Sequence, residues 1–509
     1  MLQQLSAQDA SFLYMDTPTT PMHVGSAMIL DPSKSPYGPM TLELALKFYE
    51  ERLHLMPMAR RRLVHVQFGL DHPYWIEDPD FDLEYHIREV GLPEPHDWRQ
   101  FYTLCARILG RPLDLTRPPW EVYIVHGLDK LDGIPSGSIA VLTKTHHCAI
   151  DGASGVDMLM AMSDLTPEMA PVEPPKRPWQ GDPVPSDIEL MTRFFGNSLL
   201  RPIAFADLLA QALPVQQRFA ATASSRAQPP AKPIPKTRFN APVSSHRVIG
   251  GRRFPLDEVR AMKNVVKGAT VNDVVLAVCG GALRTYLEAK HELPSESMVA
   301  MAPVNLRKET KDGLATGNQV GALFIAIGTD IADPLERLRS VQSLTHQAKE
   351  ISNAVRADLM TRLSEFVPAA TANLAARLTA ESARANQAAP AFNCSITNVP
   401  GPQVPLFSMG CETVTIVGYG PISDNMGLIM PVSSYYGELS IGFTSCRDMI
   451  PDPDFFMECI QDSFDAMKAA ALGDNVETAV AAIAKNYEQM AERALEEVRS
   501  ARARALRGA

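Results

Sequence analysis

At 509 residues the chain is longer than one hydrophobic core usually serves, so two domains plus connections are expected. Hydrophobic residues make up 46% and charged residues 21%, the balance of an ordinary globular protein. The 48 Lys and Arg against 58 Asp and Glu leave a net charge of -10, which argues against a nucleic-acid binder that works by neutralising phosphates. The seven cysteines, at 105, 148, 279, 394, 411, 446 and 459, are scattered, odd in number and without a CxxC pair. Neither a zinc site nor a disulfide framework is indicated, no metal is expected, and a reducing cytoplasm fits best. The N-terminus, MLQQLSAQDASFLYMD, has neither the basic region nor the apolar core of a signal peptide. No apolar run reaches about 18 residues, so any membrane contact would be peripheral.

In chain order, residues from Leu5 open with a short helix for which Ser6 suits the N-cap. A proline-containing loop then leads to an apolar strand from Val24. His23 either lines a cleft or is a satisfied structural histidine. Thr41 to Leu55 has helical periodicity and stops before Pro57. Arg60, Arg61 and Arg62 follow, either as a solvated basic turn or as a patch for phosphates. Phe81 to Ile87 (FDLEYHI) alternates as a strand, Trp98 to Leu109 reads as a helix, and Glu121 to Leu128 reads as a strand.

The most informative stretch is Lys144-Thr145-His146-His147-Cys148-Ala149-Ile150-Asp151-Gly152. The β-branched run from Ser138 to Thr145 predicts a strand, and Ala153 to Leu165 has apolar residues at helical spacing. Two histidines therefore sit on a strand-to-helix turn closed by Asp-Gly, where a side chain can be aimed into a cleft. Histidine is the side chain whose ordinary pKa, near ~6.5, lets it accept and return a proton at neutral pH. Cys148 beside them invites a thiol-nucleophile reading by position, but it is not expected to serve as one.

Pro167 to Pro185 and Pro229 to Pro242 are proline-rich and read as extended linkers. Between them, Ile188 to Leu213 is apolar and sparsely charged, fitting either a lid or membrane-surface helix or a helix buried against the second domain. His246-Arg247 opens a strand. Thr270 suits the N-cap of a strongly periodic helix with Val271, Val274, Val275, Val278 and Ala282 on one face, and Asp273 completes an aspartate version of the capping box. Ala354 to Ala385 reads as an alanine-rich helix. Residues 436 to 443 read as a closing strand, and a helix follows from Asp452. The tail from Asn475 alternates Glu and Arg among alanines and reads as a solvated helix.

The HHxxxDG pattern at 146–152 resembles the active-site motif of acyltransferases related to chloramphenicol acetyltransferase and of the condensation domains of peptide synthetases. Its companions narrow the resemblance to bacterial wax ester synthase/diacylglycerol acyltransferases. These are LSxxDxxFL and PMHVG near the start, Pro112-Leu113-Asp114, Arg117-Pro118-Pro119-Trp120-Glu121, Asn272-Asp273 followed by VVLA, Pro303-Val304-Asn305-Leu306-Arg307, Gly317-Asn318-Gln319-Val320 and NCSITNVPGP at 393–402. Pro119 departs from the family, where leucine is usual.

The resemblance implies an α/β fold of two chloramphenicol-acetyltransferase-like lobes, each a mixed sheet with helices, and a tunnel at their interface. The layout it implies is a lobe at 1–170, a crossover linker with the apolar helix at 171–243, a second lobe at 244–470 and a charged helical tail at 471–509, with 393–402 at the domain crossover.

By the same resemblance, His147 is the general base, His146 supports the loop or the acceptor side, Gly152 permits the tight turn, and Asp151 is structural. Cys148 occupies one of the variable places of the motif, which is why no nucleophile is expected there. Arg60 and Arg307 are alternative partners for Asp151. Asn272 lies near the reacting carbonyl, with Asp273 beside it as a substrate-binding or capping residue. The implied reaction passes a long acyl chain from acyl-coenzyme A, a co-substrate and not a resident cofactor, to diacylglycerol or a fatty alcohol. The implied setting is the cytoplasm, with peripheral contact at the inner membrane face or on lipid inclusions. Two rival readings stay open at this point: a condensation-type enzyme using carrier-bound acyl groups, and a non-catalytic lipid-binding scaffold.

Overall fold

The computed structural model describes residues 2–150, 152–175, 177–197, 233–305, 320–354, 374, 378–379, 381–385 and 389–473. Two six-stranded sheets dominate it. The first runs Phe407–Ser408, Cys411–Tyr419, His23–Asp31, Ile139–His146, Trp120–His126 and Ile87–Gly91 from edge to edge. The second runs Val320–Ala326, Val299–Asn305, Cys394–Pro400, Leu428–Tyr435, Glu438–Cys446 and Arg247–Pro255. Both are mixed: Ile87–Gly91 pairs parallel with its neighbour in the first, and Cys394–Pro400 pairs parallel on both sides in the second. A small third sheet joins Gln3–Gln4, Tyr74–Glu77 and Arg61–Val64.

The local signals explain most elements. Ser6 accepts the Asp9 N–H and starts the helix Ala7–Met15; Thr41 does the same for Leu42–Arg52, and Asp97 for Trp98–Leu109. One expectation fails. Phe81 to Ile87 is not a strand: Asp82 accepts the Glu84 N–H and caps a single helical turn, Leu83–His86. The strand begins only at Ile87, opposite Val122. The alternation of FDLEYHI lost to a cap five residues before the strand. The helices Leu256–Asn264 and Pro334–Ala354 were not anticipated. Most of the helix expected over 354–385, and all of the tail from Asn475, lie outside the described residues.

The helix Trp98–Leu109 is the wedge between the lobes. Its Phe101, Cys105 and Leu109 join one continuous apolar core with Ala27 and Leu142 of the first sheet and with Val248, Ile249 and Leu276 of the second lobe. Tyr102 also donates its hydroxyl to the Gly251 carbonyl at 3.2 Å, on the edge strand of the second sheet. Deeper in the second lobe, the helix Val271–Ala289 is buried along most of its length. A Cβ at Gly280 would collide with the Ile327 carbonyl, so only glycine lets that helix lie so close.

The chain does not divide cleanly at the linker. After Cys394–Pro400 in the second sheet, it crosses to the first sheet as Phe407–Ser408 and Cys411–Tyr419, then returns as Leu428–Tyr435. Thus part of the segment 244–470 completes the first lobe. Of the apolar stretch 188–213, residues 188–197 are described, within a helix over 187–197. That helix packs Leu190 against Val64, Tyr74 and Ile76 of the small sheet and Val66 just beyond it, not against the second sheet, and presents Ile188 and Phe195 to solvent.

Candidate active site

The strand Ile139–His146 lies inside the first sheet, with His146 opposite His23 and Thr145 opposite Trp120. The chain leaves the sheet at this point and is caught at once. His146 donates its backbone N–H to the Pro119 carbonyl at 2.9 Å, and His147 donates its own to the Met22 carbonyl at 2.9 Å. The helix Gly152–Ala161 follows, so the two histidines stand on the strand-to-helix turn that the sequence predicts.

The two rings live differently. His146 is fully buried. Its Nδ1 accepts the Cys148 N–H at 3.1 Å, and its Nε2 lies 3.0 Å from Asp16 Oδ2. An imidazole that accepts at Nδ1 carries its proton on Nε2, so the ring donates to the Asp16 carboxylate, and both nitrogens are committed. The His147 ring is half-buried and stacks on Phe12 of the N-terminal helix, centroids 3.9 Å apart and planes 8° off parallel. Cys148 is no nucleophile: its thiol is buried, and burial, aided by Asp9 and Asp16, pushes its pKa well above the ordinary range.

Of the two alternatives for His23 the structural one is met at one ring nitrogen only, since the buried Nδ1 has no hydrogen-bond partner among the described residues. The ring is buried, its Nε2–H donates to the Leu109 carbonyl, and burial pushes its pKa down to about 3, with Lys144 as the next contributor. Lys144, two residues before His146, is itself buried and pairs with Glu121 at 3.2 Å. Burial draws the Lys144 pKa down, and Glu121 opposes the shift.

In the second lobe, Thr270 and Asp273 form the capping box: the Asp273 carboxylate accepts from the Thr270 N–H and hydroxyl, each at 2.8 Å. Asp273 is therefore engaged at the helix start. Asn272, half-buried beside it, accepts at Oδ1 from the Asn398 amide at 3.4 Å, which leaves its own amide N–H groups to donate. Asn398 belongs to Cys394–Pro400, within the 393–402 segment.

Arg60 sets its guanidinium over the rings of Phe81, at 5.7 Å, and Trp179, at 5.1 Å. Burial pulls its pKa down, and Glu77 opposes the shift. Asp151 and Arg307 lie outside the described residues, as do the Gly152 surroundings. Sequence reasoning missed Asp16 and Phe12. The only signal was their place in the LSxxDxxFL segment and the residues just after it.

The model of the wax ester synthase/diacylglycerol acyltransferase catalytic domain matches residues 5–275, and that of the WS/DGAT C-terminal domain matches residues 316–468. The chain belongs to this acyltransferase family. A Mycobacterium tuberculosis (strain H37Rv) protein named "Putative diacyglycerol O-acyltransferase" is 31% identical over 480 residues, 93% of this chain and 92% of its own length. A second of the same name and strain is 33% identical over 449 residues, 86% of this chain and 91% of its length. Among solved structures, the wax ester synthase/diacylglycerol acyltransferase from Marinobacter aquaeolei VT8 is 25% identical with a TM-score of 0.63, covering 92% of this chain and all of that one. The trichothecene 15-O-acetyltransferase of Fusarium sporotrichioides shares the fold alone, at 12% identity and a TM-score of 0.55, covering 92% of this chain and 95% of that one. The two-sheet architecture is thus that of WS/DGAT acyltransferases, which are related in fold to condensation domains.

Proposed function

We propose that the chain transfers a long-chain fatty acyl group from acyl-coenzyme A to the hydroxyl of diacylglycerol, a fatty alcohol, or both, with His147 as general base. The observation that carries the base assignment is the commitment of both His146 nitrogens, to Asp16 and to the Cys148 N–H. Proton transfer then falls to the neighbouring ring.

His147 takes the proton from the alcohol as its oxygen attacks the thioester carbonyl carbon. The tetrahedral intermediate collapses with cleavage of the carbon–sulfur bond, and the imidazolium returns the proton to the departing thiolate. No acyl-enzyme forms in this scheme, and the buried Cys148 thiol fits that. Asn272 donates to the oxyanion from the second lobe; one such donor is worth roughly 2.7–4 kcal/mol. The acyl chain would lie in a tunnel between the lobes, with Asp151 holding the turn through Arg60 or Arg307. Exposed Ile188 and Phe195 support peripheral contact with a membrane or lipid inclusion, from which an apolar acceptor enters.

The test offers palmitoyl-coenzyme A with dioleoylglycerol or hexadecanol to the wild type and to His147→Ala, following coenzyme A release and lipid product. Ester from the wild type and a fall of about 10²–10⁴-fold in the folded variant are expected. Undiminished turnover in His147→Ala overturns the base assignment. No ester from either alcohol overturns the substrate reading.

A further inference from the structure

We propose that Asp16 is a positioning residue for this reaction, gripping the His147 peptide from both sides and fixing the His146 tautomer, with its loop clasped by Arg247 of the second lobe. The inference rests on the assignment of His147 as the base.

Two hydrogen-bond routes run from one carboxylate oxygen to the main chain around His147. Asp16 Oδ2 accepts the Met22 N–H at 3.0 Å, and the Met22 carbonyl accepts the His147 N–H at 2.9 Å. The same oxygen accepts the His146 Nε2–H at 3.0 Å, and His146 Nδ1 accepts the Cys148 N–H at 3.1 Å. The routes close a ring around the base residue, and every link but one is to a backbone group. Hydrogen bonds to an ionised acceptor are the stronger kind, so the carboxylate is the natural hub.

The tautomer follows from the same geometry. A proton on His146 Nδ1 would confront the Cys148 N–H donor and push the turn open. Asp16 favours the proton on Nε2, where it serves the ring. The helix that ends at Asp16 also supplies Phe12, whose ring stacks on His147.

The loop between Asp16 and Met22 is held from across the lobe boundary. Arg247, buried at the start of the second-lobe edge strand, donates to the Thr19 carbonyl at 2.6 Å and to the Ser244 carbonyl. Arg384 donates to the Thr19 hydroxyl at 3.2 Å. The second lobe thereby fixes the seat of a base carried by the first.

The experiment compares wild type, Asp16→Ala, Asp16→Asn and His147→Ala, reading kcat, KM for palmitoyl-coenzyme A and thermal midpoint. It adds the imidazole nitrogen chemical shifts of 15N-histidine-labelled wild type. Asp16→Ala should lower kcat about 10²-fold with KM little changed, since a displacement near 1 Å costs that much. Asp16→Asn keeps an acceptor oxygen and should recover most of kcat. His146 in the wild type should show a neutral ring protonated at Nε2. A folded Asp16→Ala with wild-type kcat overturns the proposal, as does an Nδ1-protonated His146 even where Asp16→Ala does not fold. Activity retained in His147→Ala overturns the base assignment instead, which separates the two failures.

Discussion

The histidine turn of the first lobe and the Asn272 helix start of the second both present polar side chains at the end of a regular element, but the bonds that hold them span different lengths of chain. Asp16 and His146 are 130 residues apart, and Met22, Pro119 and Phe12 come from three further places in the sequence. Thr270 and Asp273 are three residues apart and hold each other. A nonlocal site exists only when the whole lobe is assembled, whereas a capping box organises its helix start whatever lies beyond. Damage to the sheet should therefore reach the histidines, and damage to the cap should stay local.

The largest effect is expected at Lys144. Replacing it with methionine leaves the buried Glu121 carboxylate with only Arg88 and Tyr123, and should cost roughly 3 kcal/mol of stability in urea unfolding at pH 7.5. Because Lys144 and His146 share a strand, acyltransfer should fall as well; unchanged turnover would break the nonlocal half of the comparison.

His23 sharpens it through pH. Its folded pKa, about 3, lies below the ordinary value of 6.5, so the folded ring stays neutral while the unfolded chain takes up a proton. The stability His23 contributes is present above about 6.5 and lost as pH falls toward 3. Between pH 7.5 and 5 the wild type should lose about 2 kcal/mol more than His23→Gln in urea titrations. Equal losses would remove His23 as the acid-sensitive point.

The smallest effect belongs to the local end. Thr270→Ala removes the cap acceptor and should cost about 1 kcal/mol. Its acid sensitivity should match that of the wild type, checked by the same titrations.

The same contrast explains what could be read before folding. The Thr270–Asp273 cap, the Ser6 cap, the helix from Thr41, the histidine strand and the turn after it were all legible, because each is written within a few neighbouring residues. The motif also pointed to the family. Asp16 was not legible as the partner of His146, since nothing in sixteen residues of N-terminus shows which distant ring it will meet. His23 could be left only as two alternatives, because its fate depends on the Leu109 carbonyl reached through the sheet and the wedge helix. Phe81 to Ile87 was misread for the opposite reason: a local cap overrode a plausible alternation.

The crossing strand Cys411–Tyr419 carries a consequence for synthesis. It pairs with His23–Asp31, matching Glu412 to Asp31 and Tyr419 to Gly25. On the ribosome, His23–Asp31 can find Ile139–His146 early but must then wait, one edge bare, for its other neighbour. At roughly 5–20 residues per second, the chain from His146 to Tyr419 takes on the order of 15–55 s to emerge. For that interval the nascent first lobe exposes a long apolar edge, Ala27 to Leu30, which is the kind of strand that recruits neighbours. Chaperone demand during translation, and aggregation of any fragment ending before residue 411, are built into this topology.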